Sequence, residues 1–142
     1  MDKWKPGASI GALKRRAQMM ASIRHFFSRR SVLEVDVPLL SSSTVTDINI
    51  ESISAKVGGS KGYLQTSPEY FMKRLLASGS GDIYSMSKAF RDGEVGSKHN
   101  PEFTMLEWYR CGWDEHQLID EVIDLISSVI SAAENVTIDI TK

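Results

Sequence analysis

Apolar residues return at three- and four-residue steps from Ile10 through Leu13, Ala17, Met20 and Ile23 to Phe27. That period predicts one helix with a single apolar stripe, capped by Ser9 and running to about Arg30. The cations Lys14, Arg15, Arg16 and Arg24 fall mostly off the stripe and read as a solvated face, while Arg29 and Arg30 stand where the helix dipole favours positive charge. The period then changes to two. Leu33, Val35 and Val37 alternate with Glu34 and Asp36, the pattern of a half-buried strand that Pro38 ends. Ser41 to Thr44 reads as loop, Ile48 to Val57 as a second strand, Gly58, Gly59 and Gly62 as a turn, and Tyr63 to Gln65 as the return strand.

Thr66-Ser67-Pro68-Glu69 is a helix start, with Ser67 as N-cap, Pro68 in the first helical position and an acid behind it. This helix is predicted to reach about Ala77 and stop at Gly79 and Gly81. Ile83 to Phe90 and Glu102 to Tyr109 read as two strands joined by a polar stretch from Asp92 to Asn100. Asp114 and Gln117 have the spacing of a capping box. Behind them Leu118, Val122, Leu125, Ile126, Val129 and Ile130 make a helical stripe ending near Asn135. Helices and strands mix without regular alternation and two hairpins stand out. The fold class is therefore α+β with a largely antiparallel sheet, as a single unit over residues 1–142.

Composition narrows the function classes. With 142 residues, 42% apolar and 25% charged, the chain suits one globular domain. Lys plus Arg is 17 against 18 for Asp plus Glu, so the basic surplus of a nucleic-acid-binding domain is missing and tight tRNA binding is not expected. One cysteine, Cys111, excludes an internal disulfide framework, fits a reducing compartment and reads as a small core residue. No apolar run approaches the length of a membrane span, and the first residues lack the pattern of a signal peptide; the expected location is the cytoplasm.

Functional residue types are densest in FRDGEVGSKHNPEFTMLEWY, from Phe90 to Tyr109. Side chains of a strand alternate between faces, so Phe103, Met105, Glu107 and Tyr109 share one. An aromatic ring, a carboxylate and a phenol on one face of a central strand suit the floor of a pocket for something flat, charged, or both. Taken singly, Arg91 and Glu94 read as a surface ion pair, Phe103 as core and Glu69 as an acid answering a helix dipole.

The run HNPEFTMLEWY, following FR, closely resembles motif 2 of the class II aminoacyl-tRNA synthetases in its lysyl subgroup. Phe26 to Leu39 resembles motif 1, and TSPEYFMKRLL resembles the segment between the two motifs that binds the amino acid. Within the subgroup the likeness is greatest to the short lysyl-tRNA synthetase paralogues that modify elongation factor P. The resemblance implies a synthetase-type antiparallel sheet flanked by helices, with motif 1 at about 26–39 and motif 2 at about 90–109. It implies adenylation of lysine or β-lysine by ATP with Mg2+, then transfer to a lysine side chain of elongation factor P, without a protein nucleophile or a protein-held metal.

Carried over by residue, the resemblance gives Arg91 the ATP α-phosphate and the charge that develops there in catalysis. His99 would reach the outer phosphates, Asn100 would fix the nucleotide or the carboxylate, and Phe103 would stack on adenine, with Asp92, Gly93 and Glu94 in the same ATP-binding loop. Ser67, Pro68, Glu69, Glu107 and Tyr109 would line the amino-acid pocket, and Pro38 would lie in a homodimer interface. Two departures stand out. The family usually carries a glutamate two residues after the motif 2 arginine, where this chain has Gly93, with Glu94 one place later. Nothing like motif 3 precedes Lys142, so the site is expected to be incomplete. Too few residues precede the motif 1 segment for the β-barrel of a lysyl-tRNA synthetase, which favours a protein acceptor over tRNA. A lysyl-tRNA synthetase catalytic fragment, and a fragment that binds ligand or dimerises without turnover, remain the alternatives.

Overall fold

A computed structural model describes residues 4–132 of the protein, and the expected end of the last helix near Asn135 lies outside them. The chain divides into two compact units, one holding the described parts of Met1–Ser31 and Gly112–Lys142, the other Val32–Cys111.

In the first unit, helix α1 spans Ile10–Ser28, with the Ser9 hydroxyl accepting from the Ala12 N–H at 3.1 Å. Arg30 donates to the Phe26 carbonyl at 3.4 Å, and its guanidinium lies 3.6 Å from the Phe26 ring centre. The apolar stripe differs from expectation at its start, since Ile10 and Leu13 are exposed while Phe26 and Phe27 are buried. Helix α3, the last among the described residues, spans Glu115–Ala132 and packs against α1. Its start is the reciprocal pair the spacing predicts: the Gln117 N–H donates to Asp114 Oδ1 at 2.9 Å, and the Asp114 N–H to Gln117 Oε1 at 3.1 Å. Leu125 is buried as expected, but so is Glu121, which lies 3.8 Å from the Arg30 guanidinium. A charge one turn from a buried leucine is tolerated because it is paired.

The second unit contains two three-stranded sheets. In one, β1 (Leu33–Glu34) runs parallel to β5 (Ile83–Phe90), which pairs antiparallel with β6 (Glu102–Tyr109). In the other, β4 (Ser60–Leu64) lies between β2 (Leu40–Ser41) and β3 (Ser54–Val57), all antiparallel. Helix α2, Glu69–Ala77, connects them. Its Met72 packs with Val37 and Ile83 into a buried cluster that Val35, Phe71, Leu75, Leu76 and Tyr109 surround. The helix therefore sits over the Ile83 and Tyr109 end of the β5–β6 pair.

Several boundaries moved. The strand expected from Leu33 to Val37 keeps ladder pairing only at Leu33 and Glu34, with one further bond from the Val35 N–H to the Tyr84 carbonyl at 2.8 Å before Pro38. The strand expected from Ile48 shrinks to β3, because Asp47 folds its carboxylate onto the Asn49 N–H at 2.8 Å and turns the chain. Leu40 and Ser41, the latter expected in a loop, form β2 against Leu64 and Tyr63. Gly62, expected in the turn, is a strand residue; a Cβ there would stand 3.1 Å from Leu40 Cδ1, so glycine lets β2 approach. Helix α2 begins one residue late, with Pro68 as its cap residue and only a 3.4 Å contact from the Glu69 N–H to the Ser67 hydroxyl. Cys111 is exposed, not core.

Candidate functional site

Both clusters of candidate residues are built by the β5–β6 pair. Its register runs without a break from Ile83↔Tyr109 to Phe90↔Glu102. Residues directly opposite one another point to the same side, so Ala89, Ser87, Ser85 and Ile83 share a face with Phe103, Met105, Glu107 and Tyr109.

At the loop end stands Arg91. Its N–H donates to the Pro101 carbonyl at 2.9 Å, which closes the connection between the strands. The guanidinium sits 5.3 Å from the centre of the Phe103 ring, reaches the Thr66 carbonyl from Nε at 3.4 Å and lies 3.5 Å from Glu94 Oε1. Its side chain is 25% exposed, so a cation is presented to solvent with an aromatic face beneath it. Arg91, Glu94, Lys98, His99, Asn100 and Phe103 line an open cleft of about 330 Å³. The structure thus brings together five of the seven residues singled out for ATP, namely Arg91, Glu94, His99, Asn100 and Phe103. Lys98 was passed over in the sequence; a cation directly before His99 was the signal. Thr66, whose carbonyl holds Arg91, had none.

Asp92 and Gly93 turn away from this cleft. The Asp92 N–H donates to the Glu51 carbonyl at 2.8 Å, and both residues line a neighbouring hollow with Ile48, Asn49, Ile50 and Glu51. Glu94 lines the two hollows alike. Gly93 has φ +74°, a conformation that L side chains rarely adopt. A carboxylate at that position would strain the loop, which gives a physical reason for finding the acid one place later.

Five residues make up the second group, at the α2 end of the β5–β6 pair. The Tyr109 hydroxyl donates to Glu107 Oε1 at 2.8 Å. Lys73 Nζ lies 2.5 Å from Glu69 Oε1, one helical turn away on α2. Burial pushes the Glu107 carboxyl above its ordinary value; the Tyr109 hydrogen bond opposes this, the Glu69 charge adds to it and the Lys73 charge subtracts. Burial and the bond to Glu107 also raise the Tyr109 phenol, which stays protonated and donating. Ser85, directly across from Glu107, is 1% exposed, and its hydroxyl has no partner among the described residues.

The Ser67 hydroxyl lies 3.4 Å from the Glu69 N–H. The residue lines a hollow of about 300 Å³ with the Ser41–Val45 segment, Tyr70 and Arg74. Pro68 is fully buried at the helix start. Pro38 is exposed between β1 and β2, beside the exposed Leu39 and Leu40. Among the described residues no group of three or more His, Cys, Asp or Glu could hold a metal ion, and no helix is long and apolar enough to cross a membrane.

Comparison with known proteins gives this geometry a context. Residues 7–142 match the family model described as tRNA synthetases class II (D, K and N). An elongation factor P–(R)-β-lysine ligase of Vibrio vulnificus is 54% identical over 143 residues, covering 94% of this chain and 44% of that protein. Ligases of the same name from Pseudoalteromonas translucida and Erwinia tasmaniensis are each 52% identical, covering 94% and 92% of this chain and 43% and 42% of their own length. The chain thus spans less than half the length of these curated relatives. A family model matched over nearly every residue, with relatives above half identity, makes this chain a member of the class II tRNA synthetase family, in its D, K and N group.

Proposed function

We propose that this chain is the front part of a catalytic domain that activates lysine or β-lysine with ATP and passes it to a lysine side chain of elongation factor P. The observation that carries this reading is the shared face of β6. Phe103 and the Arg91 cation stand at one end, and Glu107 and Tyr109 at the other, four and six residues along the strand. At about 3.4 Å per residue, Phe103 and Glu107 are roughly 14 Å apart. That spacing suits a nucleotide and an extended diamine laid end to end.

In this reading Arg91 grips the α-phosphate and stabilises the charge that grows as the substrate carboxylate attacks. Lys98 extends the positive wall, His99 reaches toward the outer phosphates, Asn100 positions the nucleotide or the carboxylate, and Phe103 carries the adenine. Glu94 must release Arg91 or share it with the phosphate, since the two lie 3.5 Å apart. Glu69, Glu107 and Tyr109 receive the ammonium groups, for which two carboxylates in a half-buried setting are the chemical complement. Magnesium would arrive on the triphosphate and neutralise phosphate charge there. The acceptor in this reading is a protein rather than tRNA: the net charge is −1, and curated relatives at 52–54% identity are named for elongation factor P. The reaction belongs in the cytoplasm, where that factor works. The exposed run Pro38–Leu40 is proposed as part of a homodimer interface.

Three measurements test these statements. In the whole catalytic domain of which this chain is proposed to be the front part, ATP–pyrophosphate exchange should require lysine or β-lysine and fall at least about a hundredfold in Arg91→Ala, the scale of removing one charge-stabilising donor. Exchange that ignores the amino acid, or survives the substitution, would remove the basis for the reading. Sedimentation velocity should find a dimer that Pro38→Asp weakens; a monodisperse monomer would eliminate the interface.

The third concerns pH. The folded-state pKa of Glu107 is raised, so its contribution to stability is present below the ordinary carboxylate value of 4.5 and is lost as pH rises through the folded value. At neutral pH the ionised carboxylate is held at a cost to folding. Glu107→Gln keeps an acceptor for Tyr109 and removes the charge. It should melt at a higher temperature than the parent at pH 7, with the gap closing as the pH falls below 4.5, while binding lysine more weakly. A lower melting temperature at pH 7 would contradict the assignment of strain to this carboxylate.

A further inference from the structure

The acidic end of the β6 face already contains a primary ammonium group. Lys73 Nζ lies 2.5 Å from Glu69 Oε1, and its side chain remains 57% exposed, so it reaches the carboxylate from solvent on a flexible stem. The surrounding groups form a surplus of acceptors. Glu69 lies on α2 with Lys73, Glu107 and Tyr109 lie on β6, and Ser85 lies on β5 with a hydroxyl that has no partner among the described residues. The charged and titratable groups that act on one another here are Glu69, Glu107, Tyr109, Tyr70 and Lys73 itself. Lys73 is the one cation among these five.

We propose that Lys73 is a resident counter-ion of the amine pocket: it occupies Glu69 when no ligand is present and must swing away when a ligand's ammonium group enters, so that it sets the affinity and selectivity of the pocket. The proposal rests on the reading of Glu69 and Glu107 as amine receptors and adds a residue to which the resemblance gave no role. Two physical points support it. The ligand's ammonium and Lys73 compete for the same carboxylate oxygen, and an exposed ion pair is weak enough to be exchanged rather than locked. A cation that stays near the pocket also repels an incoming cation, by an amount that falls with distance and solvent screening. The Glu69 bond and charge raise the Lys73 ammonium above its ordinary value, with Glu107 adding to them, so Lys73 remains charged through the neutral range and competes at full strength. The consequence is a threshold. A ligand with a single weakly held ammonium does not displace Lys73, whereas one that engages Glu69 and Glu107 together does.

The experiment is a titration of L-lysine, and separately of norleucine, into the parent chain, Lys73→Met and Lys73→Arg, followed by calorimetry at pH 7. Lys73→Met should bind lysine about three- to tenfold more tightly, the combined effect of losing a competitor and a nearby like charge at partly screened range. It should also narrow the preference for lysine over norleucine. Lys73→Arg should stay within about twofold of the parent, because it restores the competing cation. Unchanged or weaker lysine binding in Lys73→Met, with the parent binding normally, would overturn the counter-ion role and leave the amine pocket standing. No lysine binding by any of the three folded proteins would remove the amine pocket and this role with it. Because Lys73 is largely exposed, none of these variants is expected to disturb folding, and far-ultraviolet circular dichroism of each verifies that.

Discussion

Antiparallel pairing of β5 with β6 is the constraint on which the rest of the candidate site depends. Eight cross-strand pairs hold the register from Ile83↔Tyr109 to Phe90↔Glu102. A slip of one residue would turn Phe103, Glu107 and Tyr109 to the opposite face together. Two contacts resist such a slip. The Arg91 N–H to Pro101 carbonyl bond fixes the loop end, and Arg110, 2.8 Å from Asp82 Oδ2, fixes the other. Ile83 and Tyr109 also join the apolar cluster under α2 around Met72, so hydrophobic burial and strand register specify the same arrangement.

That arrangement separates two kinds of chemistry on one surface. At the loop end a guanidinium lies over an aromatic ring in an open cleft, where an anion and a flat base are both accommodated. At the helix end carboxylates gather with a phenol and a lysine, and burial pushes the half-buried Glu107 carboxyl above its ordinary value. A charge kept where it costs stability is a frequent mark of function, since a purely structural position would be filled by a neutral residue. Glu69 and Glu94 are alike in one respect. Each lies against a cation of its own chain, Lys73 or Arg91, that a charged ligand would compete with or displace.

Much of this was legible in the sequence because the relevant signals are local. The alternation in Glu102–Tyr109 gave both the strand and the shared face, Pro68 and Glu69 marked the start of α2, and the Asp114–Gln117 spacing gave the reciprocal cap of α3. What escaped depends on groups distant in the chain. Leu40 and Ser41 pair with Leu64 and Tyr63, and the next residue of that strand, Gly62, leaves room for the Leu40 side chain. Ile48 lies in an apolar-rich run that reads as a strand, yet it is 96% exposed, since the Asp47 turn redirects the backbone. Thr66 contributes a backbone carbonyl, for which no side-chain pattern exists. Lys73 looks like any helix-surface cation until Glu107, thirty-four positions later in number, is found to feel its charge.

The most direct test of a single face with two ends is a backbone amide shift map, recorded by two-dimensional nuclear magnetic resonance with ATP and with lysine added separately. The account predicts that ATP moves the signals of Arg91, Lys98, His99, Asn100 and Phe103, while lysine moves those of Glu69, Lys73, Glu107 and Tyr109. Both ligands shifting the same residues, or lysine acting on the loop end, would contradict it.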